Sequence, residues 1–241
     1  MLLDNVEEMA RSTREKLPVM ISDCTDPYQP LEGECFVTRR CAKVLAENHF
    51  PLLIVTKSNL VARDIDVFLQ TKTVVSMTVT TIRNDIAAII EPHAPPPDLR
   101  ISALRGIGEQ GILTVARVDP IIPTINDDED DFEELVSALA NVGVRQITVS
   151  TMKPVRGFFS KLRDLDPELH RRIWHFYEDG ESAMGYRYMR KSERQEIIGR
   201  LRSTVIGHGL KFASCREGFQ ELNTSLCDGT SFCRRNLALN S

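Results

Sequence analysis

Short apolar, β-branched runs alternate with longer stretches of helical periodicity, and this alternation is the feature that most restricts the fold. Five runs read as strands, at residues 17–22, 52–56, 74–79, 112–118 and 146–150. Their hydrophobicity is continuous rather than alternating, which suits strands covered on both faces. Helical patterns lie between them. Residues 35–48 carry Ala42, Val44 and Leu45 on one face, and residues 60–70 carry Ile65, Val67, Phe68 and Leu69. Residues 98–109 run up to Gly111, a helix-stop signal. Residues 127–141 open on Asp127-Asp128-Glu129-Asp130-Asp131 and bury a stripe of Phe132, Leu135, Val136 and Leu139. A solvated first turn that complements the helix dipole accounts for this acidic run without a metal ion. Strand–helix alternation of this kind predicts an α/β chain with a parallel sheet.

After Ser150 the alternation stops. Residues 166–179 hold the single tryptophan, Trp174, with Phe176 and Tyr177, and residues 191–208 form an amphipathic helix with Ile197, Ile198, Leu201, Val205 and Ile206 inward. The division expected is a βα unit over residues 1–154 and a helical, cysteine-containing extension over 155–241. No internal repeat interrupts it, and the cluster Pro92, Pro95, Pro96, Pro97 predicts a stiff loop.

A formal charge of −4 with both signs mixed gives no footprint of a dedicated nucleic-acid-binding surface. No apolar run reaches the roughly 20 residues that span a bilayer, and the first residues are acidic, so no membrane association and a cytoplasmic location are expected. In that setting six cysteines point to free, metal-bound or catalytic thiols. Cys24, Cys35 and Cys41 come early and Cys215, Cys227 and Cys233 late, and nowhere do they form Cys-x3-Cys-x2-Cys.

In a parallel βα array ligands bind at the carboxyl ends of the strands, where loops and helix N-termini converge. Those positions hold Asp23 to Pro30, Lys57-Ser58, Thr80 to Arg83, Asp119 to Pro123 and Thr151 to Pro154, a polar rim on apolar strands. Along it run Thr25-Asp26-Pro27-Tyr28-Gln29-Pro30-Leu31-Glu32, Thr38-Arg39-Arg40, Thr56-Lys57-Ser58 with Arg63-Asp64, Ile90-Glu91-Pro92, and Pro120-Ile121-Ile122-Pro123 before Asn126-Asp127. In that order, from about Leu17 to Pro154, these strings resemble the spore photoproduct lyase and "DNA repair photolyase" branch of the radical S-adenosylmethionine (AdoMet) superfamily.

The resemblance implies a partial (βα) barrel of parallel strands whose first βα unit is missing. It also implies AdoMet as cofactor and DNA photoproduct repair as the type of chemistry. Thr25, Asp26, Pro27 and Tyr28 would border the amino group of AdoMet, and Lys57 and Ser76 would hold its carboxylate. For Lys57 the plain alternative is a snorkelling strand-end lysine, and for Ser76 a hydroxyl satisfied within the sheet. Cys24 matches in position a family cysteine that donates a hydrogen atom to the product radical, although the Cys24-Thr25-Asp26 string is one residue shorter; a small buried hydrophobe is the alternative.

The departure is the cluster. Radical AdoMet chemistry uses a [4Fe–4S] cluster on three thiolates, and the sequence given lacks the family's Cys-x3-Cys-x2-Cys loop. Cys35 and Cys41 lie six residues apart on one helix and point to different targets. Either the chain is a shortened relative, inactive alone, or another chain supplies the missing unit as a partner or a second copy. The late cysteines, Cys215, Cys227 and Cys233, with His208 nearest as a fourth ligand, would hold an auxiliary iron–sulfur cluster or zinc, or else are free thiols. Two other readings stay open. One is a non-catalytic module binding AdoMet, a partner or nucleic acid, with Arg39, Arg40, Arg63 and Arg83 facing phosphates. The other is an unrelated barrel-like enzyme using Lys57, Asp119 and Lys153.

Overall fold

The computed structural model describes residues 2–22 and 25–233. Its centre is a six-stranded, wholly parallel sheet in the order β1 (Val19–Ile21), β2 (Leu52–Thr56), β3 (Thr73–Thr78), β4 (Leu113–Ile121), β5 (Gln146–Thr151) and β8 (Lys211–Ser214). All six residues of β3 and of β5 are buried, as continuous hydrophobicity predicts for central strands. The five expected strands are present. The sixth, β8, comes from the extension and pairs with β5, Ile147 opposite Phe212, so the C-terminal residues complete the sheet as well as forming helices.

Helices connect the strands. α1 (Leu2–Ser12) precedes β1 and packs on α3 (Val37–Glu47), which follows the short α2 (Glu32–Cys35). The helix expected at 60–70 is a 3-10 segment, Asn59–Asp64, running into α4 (Ile65–Phe68). α5 (Asn84–Ile90) and α6 (Pro97–Glu109) lead to β4, with Pro97 in the first turn, where its missing N–H costs nothing. α7 (Glu129–Asn141) begins one residue after Asp128, whose carboxylate caps it by accepting from the Asp130 and Asp131 amides. The extension adds α8 (Phe158–Leu165), α9 (Pro167–Trp174), a two-stranded hairpin of β6 (Ser182–Ala183) and β7 (Tyr186–Arg187), and α10 (Lys191–Gly207).

The sheet has two unlike faces. Ile54, Val75, Met77, Ala116, Ile147, Val149 and Phe212 belong to one large apolar core with the helices. The alternate residues Leu53, Val74 and Val115 face the other way and form a small separate cluster with Cys233. The tail covers this inner face. Gly229, at φ +80°, approaches so closely that a Cβ there would sit 3.3 Å from a Val115 methyl, so a side chain would strain the backbone and press on the sheet. The arrangement is a parallel βα partial barrel with a helical, cysteine-containing extension. Among the described residues no helix is long and apolar enough to cross a membrane.

Candidate functional site

The loop after β1 is fastened to the end of β2 by one carboxylate. Asp26 Oδ1 accepts the Tyr28 amide at 2.9 Å and the Thr56 hydroxyl at 2.6 Å, and Oδ2 accepts the Lys57 amide at 2.6 Å. The Pro27 carbonyl accepts from the Thr38 hydroxyl at 2.7 Å, and the Thr25 carbonyl from Ser22 at 3.0 Å. Tyr28 is buried, and its hydroxyl donates to Asp64 at 3.0 Å. Burial and then the Asp64 charge push the phenol far above its ordinary range, so it stays protonated as a donor. Asp64, fully buried, is held by Arg39 at 2.9 Å and Arg63 at 2.7 Å. Arg39 also reaches Asp66 at 2.6 Å, and Arg63 reaches Glu32 at 3.0 Å. Two of the four arginines considered for phosphates are thus ion-paired within the loop's foundation. Arg83 is exposed and pairs with Asp85, and exposed Arg40 donates to the Cys35 and Phe36 carbonyls.

Lys57 stands at the end of β2 with its ammonium 2.7 Å from Glu91 Oε1. The other Glu91 oxygen accepts from Arg100 at 2.6 Å and from the Thr80 hydroxyl at 2.9 Å. Burial would raise the Glu91 carboxyl, but the close Lys57 ammonium and the Arg100 charge outweigh it and hold the group below its ordinary value. Within this group one carboxylate stands against two cations and leaves one positive charge, while Asp26, which lines the same cleft, has both oxygens engaged by the Tyr28, Thr56 and Lys57 donors. Arg100 is sealed in, whereas the Lys57 side chain is 39 % exposed, so that charge is presented at Lys57. It faces a cleft of about 700 Å³ lined by Asp26, Tyr28, Lys57, Ser58, Glu91 and His93 among others. Neither Glu91 nor Arg100 was assigned a role from sequence; the signal available was a strand-end lysine that needs a counter-ion.

Of the residues expected at the AdoMet end, Asp26, Tyr28 and Lys57 line this cleft together, with Thr25 and Pro27 in the same loop. Ser76 lies in β3 opposite Val55, buried and on the same face as Val74, below the rim and not among the lining residues. Cys24 lies outside the described residues.

The opposite side of the rim is built from β4, β5 and the tail. Arg117 pairs with Asp119 at 2.8 Å and donates to the Cys227 carbonyl at 3.5 Å. Lys153 is sealed against Glu217 at 2.6 Å, with Glu217 also accepting from the Thr151 amide at 2.6 Å. Of the late cysteines, Cys215 and Cys227 lie close to each other beside Arg117, whereas Cys233 is packed with Leu53, Val74 and Val115 and donates to the Leu52 carbonyl at 3.6 Å. His208, instead of joining them, binds Glu133 at 2.6 Å at the end of α10. The expected grouping of three thiols with His208 is therefore not formed. Among the described residues no group of three or more histidine, cysteine, aspartate or glutamate side chains could hold a metal ion.

No protein-family profile matches the chain. It is 34 % identical over 157 residues to an uncharacterized protein of Acidianus two-tailed virus and 32 % identical over 127 residues to one of Methanocaldococcus jannaschii. These matches take in 59 % and 52 % of the chain and 50 % and 49 % of the relatives. In three dimensions it superposes on spore photoproduct lyase with bound AdoMet and dinucleoside spore photoproduct at a TM-score of 0.66 and 16 % identity, covering 88 % of this chain and 65 % of that one. The chain has the fold of spore photoproduct lyase. The Streptococcus suis protein SuiB bound to S-adenosylmethionine also shares it, at a TM-score of 0.58 and 12 % identity over 93 % of this chain and 46 % of that one. The chain spans about half the length of the curated relatives it matches. It thus resembles the radical AdoMet fold while the described residues lack the cluster-binding cysteine group.

Proposed function

We propose that the cleft beside Lys57 binds AdoMet, and that the chain supplies the AdoMet-holding part of a radical AdoMet type of enzyme. The observation that carries this reading is the net positive charge left at Lys57 by the Lys57–Glu91–Arg100 group, on the rim of a fold shared with proteins that bind AdoMet. Lys57 would take the carboxylate of the ligand by a charge-assisted hydrogen bond. Asp26 and the loop it braces would face the ammonium. The cleft lies within the range of about 300–1,000 Å³ typical of small-molecule sites. When bound, AdoMet supplies the adenosyl group that radical AdoMet enzymes cleave from its sulfonium.

The described residues do not fit a [4Fe–4S] cluster, since no three ligands converge. Reductive cleavage therefore requires a cluster held by residues beyond those described, whether of this protein or of a partner. Turnover on a DNA photoproduct, the substrate type the resemblance implies, depends on that same requirement.

Calorimetric titration of AdoMet into the protein tests the reading. The wild type should bind, and Lys57→Met should weaken binding by about ten-fold or more, the equivalent of ~1.4 kcal/mol. Ser76→Ala, beneath the cleft, should change affinity less than about three-fold, well under ~1 kcal/mol. Absence of binding by the wild type, or equal affinity in Lys57→Met, would overturn it.

A further inference from the structure

Cys215 and Cys227 stand on the opposite side of the inner face from the AdoMet cleft, and both backbones are pinned. The Cys215 amide donates to the Val149 carbonyl at 2.9 Å, prolonging the β5–β8 pairing by one residue. The Cys227 carbonyl accepts from Thr148 Oγ1 at 3.0 Å and Arg117 at 3.5 Å, and the preceding Leu226 carbonyl from Gln146 Nε2 at 2.9 Å. These attachments fasten both cysteines to adjacent residues of β5, Val149 and Thr148, while each stays partly open to solvent. A disulfide requires fixed backbones at short range, and anchorage of both cysteines to neighbouring residues of one strand supplies that fixity.

The charged groups around the pair are Arg117 and Asp119 on β4 and Asp228 next to Cys227. The neighbouring Cys227 thiol, helped by the Arg117 charge, draws the Cys215 thiol down to about 6 against the opposing effect of burial, and Cys227 is pushed well up by its nearness to Cys215 and by burial. One sulfur is prepared as nucleophile and the other keeps its proton. The other described thiols lack this setting. Cys35 is exposed on α2, Cys41 is raised by burial, and Cys233 is buried and pushed up to about 11.

We propose that Cys215 and Cys227 form a redox-active dithiol that is oxidised by low-molecular-weight disulfides to an intramolecular disulfide, fastening the tail to β8. The Cys215 thiolate attacks one sulfur of the small disulfide, forming a mixed disulfide and releasing one thiolate. The Cys227 sulfur then attacks the Cys215 sulfur of that mixed disulfide, its proton leaving with the second small thiol. Two protein thiols are oxidised and one small disulfide is reduced to two thiols. This pair is independent of AdoMet binding, since none of its residues lines the cleft.

Peptide mapping by mass spectrometry after exposure of the reduced protein to glutathione disulfide tests the proposal. The expected product is a Cys215–Cys227 linked peptide, reversed by dithiothreitol, formed at least about ten-fold faster than modification of Cys35. In urea that preference should vanish, because the pairing depends on the fold. Cys227→Ser should instead accumulate a stable glutathionyl adduct on Cys215. Preferential modification of Cys35 or Cys41 in the native protein, with Cys215 and Cys227 still reduced, would overturn it. So would a linked peptide formed equally fast in urea.

Discussion

Two lysine–glutamate pairs of nearly equal geometry stand on opposite sides of the rim, and their surroundings give them opposite roles. Lys57–Glu91 is 2.7 Å long with the lysine 39 % exposed; Lys153–Glu217 is 2.6 Å long with the lysine only 4 % exposed and the glutamate at 0 %. At the first pair the excess positive charge can reach solvent or a ligand. At the second, Lys153 also donates to Ser150 at 2.8 Å and Glu217 accepts the Thr151 amide, so no hydrogen-bonding capacity is left pointing outward. Their wiring along the chain differs too. The first side is tied by neighbouring loops, Tyr28 to Asp64 across 36 residues and Arg63 to Glu32 across 31. The second is closed by the returning tail, Lys153 to Glu217 across 64 residues and Arg117 to Cys227 across 110. The open pair is suited to binding, whereas the sealed pair holds the end of the chain in place.

Removing the glutamate from each pair should separate these roles. Glu217→Ala leaves Lys153 as a buried, uncompensated cation and Arg194 with only the exposed Glu181 at 4.0 Å, and should cost about 3–5 kcal/mol in chemical denaturation. A cost below ~1 kcal/mol would mean that the second side is as adaptable as the first. Glu91→Ala should cost less, about 2 kcal/mol, because Lys57 can turn to water and Arg100 keeps the Thr78 and Pro95 carbonyls. Glu91 also makes the first side acid-sensitive. Its native carboxyl titrates below the ordinary value of 4.5, so its contribution is complete above that pH and is lost as pH falls through the lower native value. Unfolding titrations across that range should show stability falling with acid, and Glu91→Gln should flatten that part of the slope. Lys57→Met, by contrast, should alter stability by less than ~1 kcal/mol, as expected for a half-exposed ion-pair partner, whatever it does to AdoMet.

The same division governs what could be read from sequence. The β1–β5 array and the rim residues Asp26, Tyr28 and Lys57 were legible because each strand is a continuous apolar run and strand-end positions are fixed by connectivity. β8 was not, because Lys211–Ser214 offers only Phe212 and Ala213 as consecutive apolar residues and owes its place to pairing with β5. Glu91 and Arg100 sit in a loop and within a helix, where only the folded chain shows that they share Lys57. For the late cysteines the sequence left a shared ligand set and free thiols both open, and the fold places Cys233 among apolar side chains and His208 at a separate helix end. Contacts between sequence-distant residues carry no local periodicity, so the tail's role was hidden even though its residues were conspicuous.

The finest test of the comparison is a single hydroxyl. Thr148 Oγ1 donates to the Cys227 carbonyl at 3.0 Å and accepts from Gln146 Nε2 at 3.0 Å, linking the centre of β5 to the tail. Thr148→Val keeps the strand-favouring branched shape and removes only those bonds, so the expected cost is about 0.5–1.5 kcal/mol. Because the tail lies over Leu53, Val74 and Val115 rather than within the main core, the loss should appear as local opening before it appears in the global transition. Hydrogen exchange in residues 226–233 should quicken by up to about ten-fold, with the amides of β2 and β3 unchanged. Equal acceleration throughout the sheet would show that the tail folds as one unit with the strands, and the distinction between a locally wired side and a tail-closed side would fail.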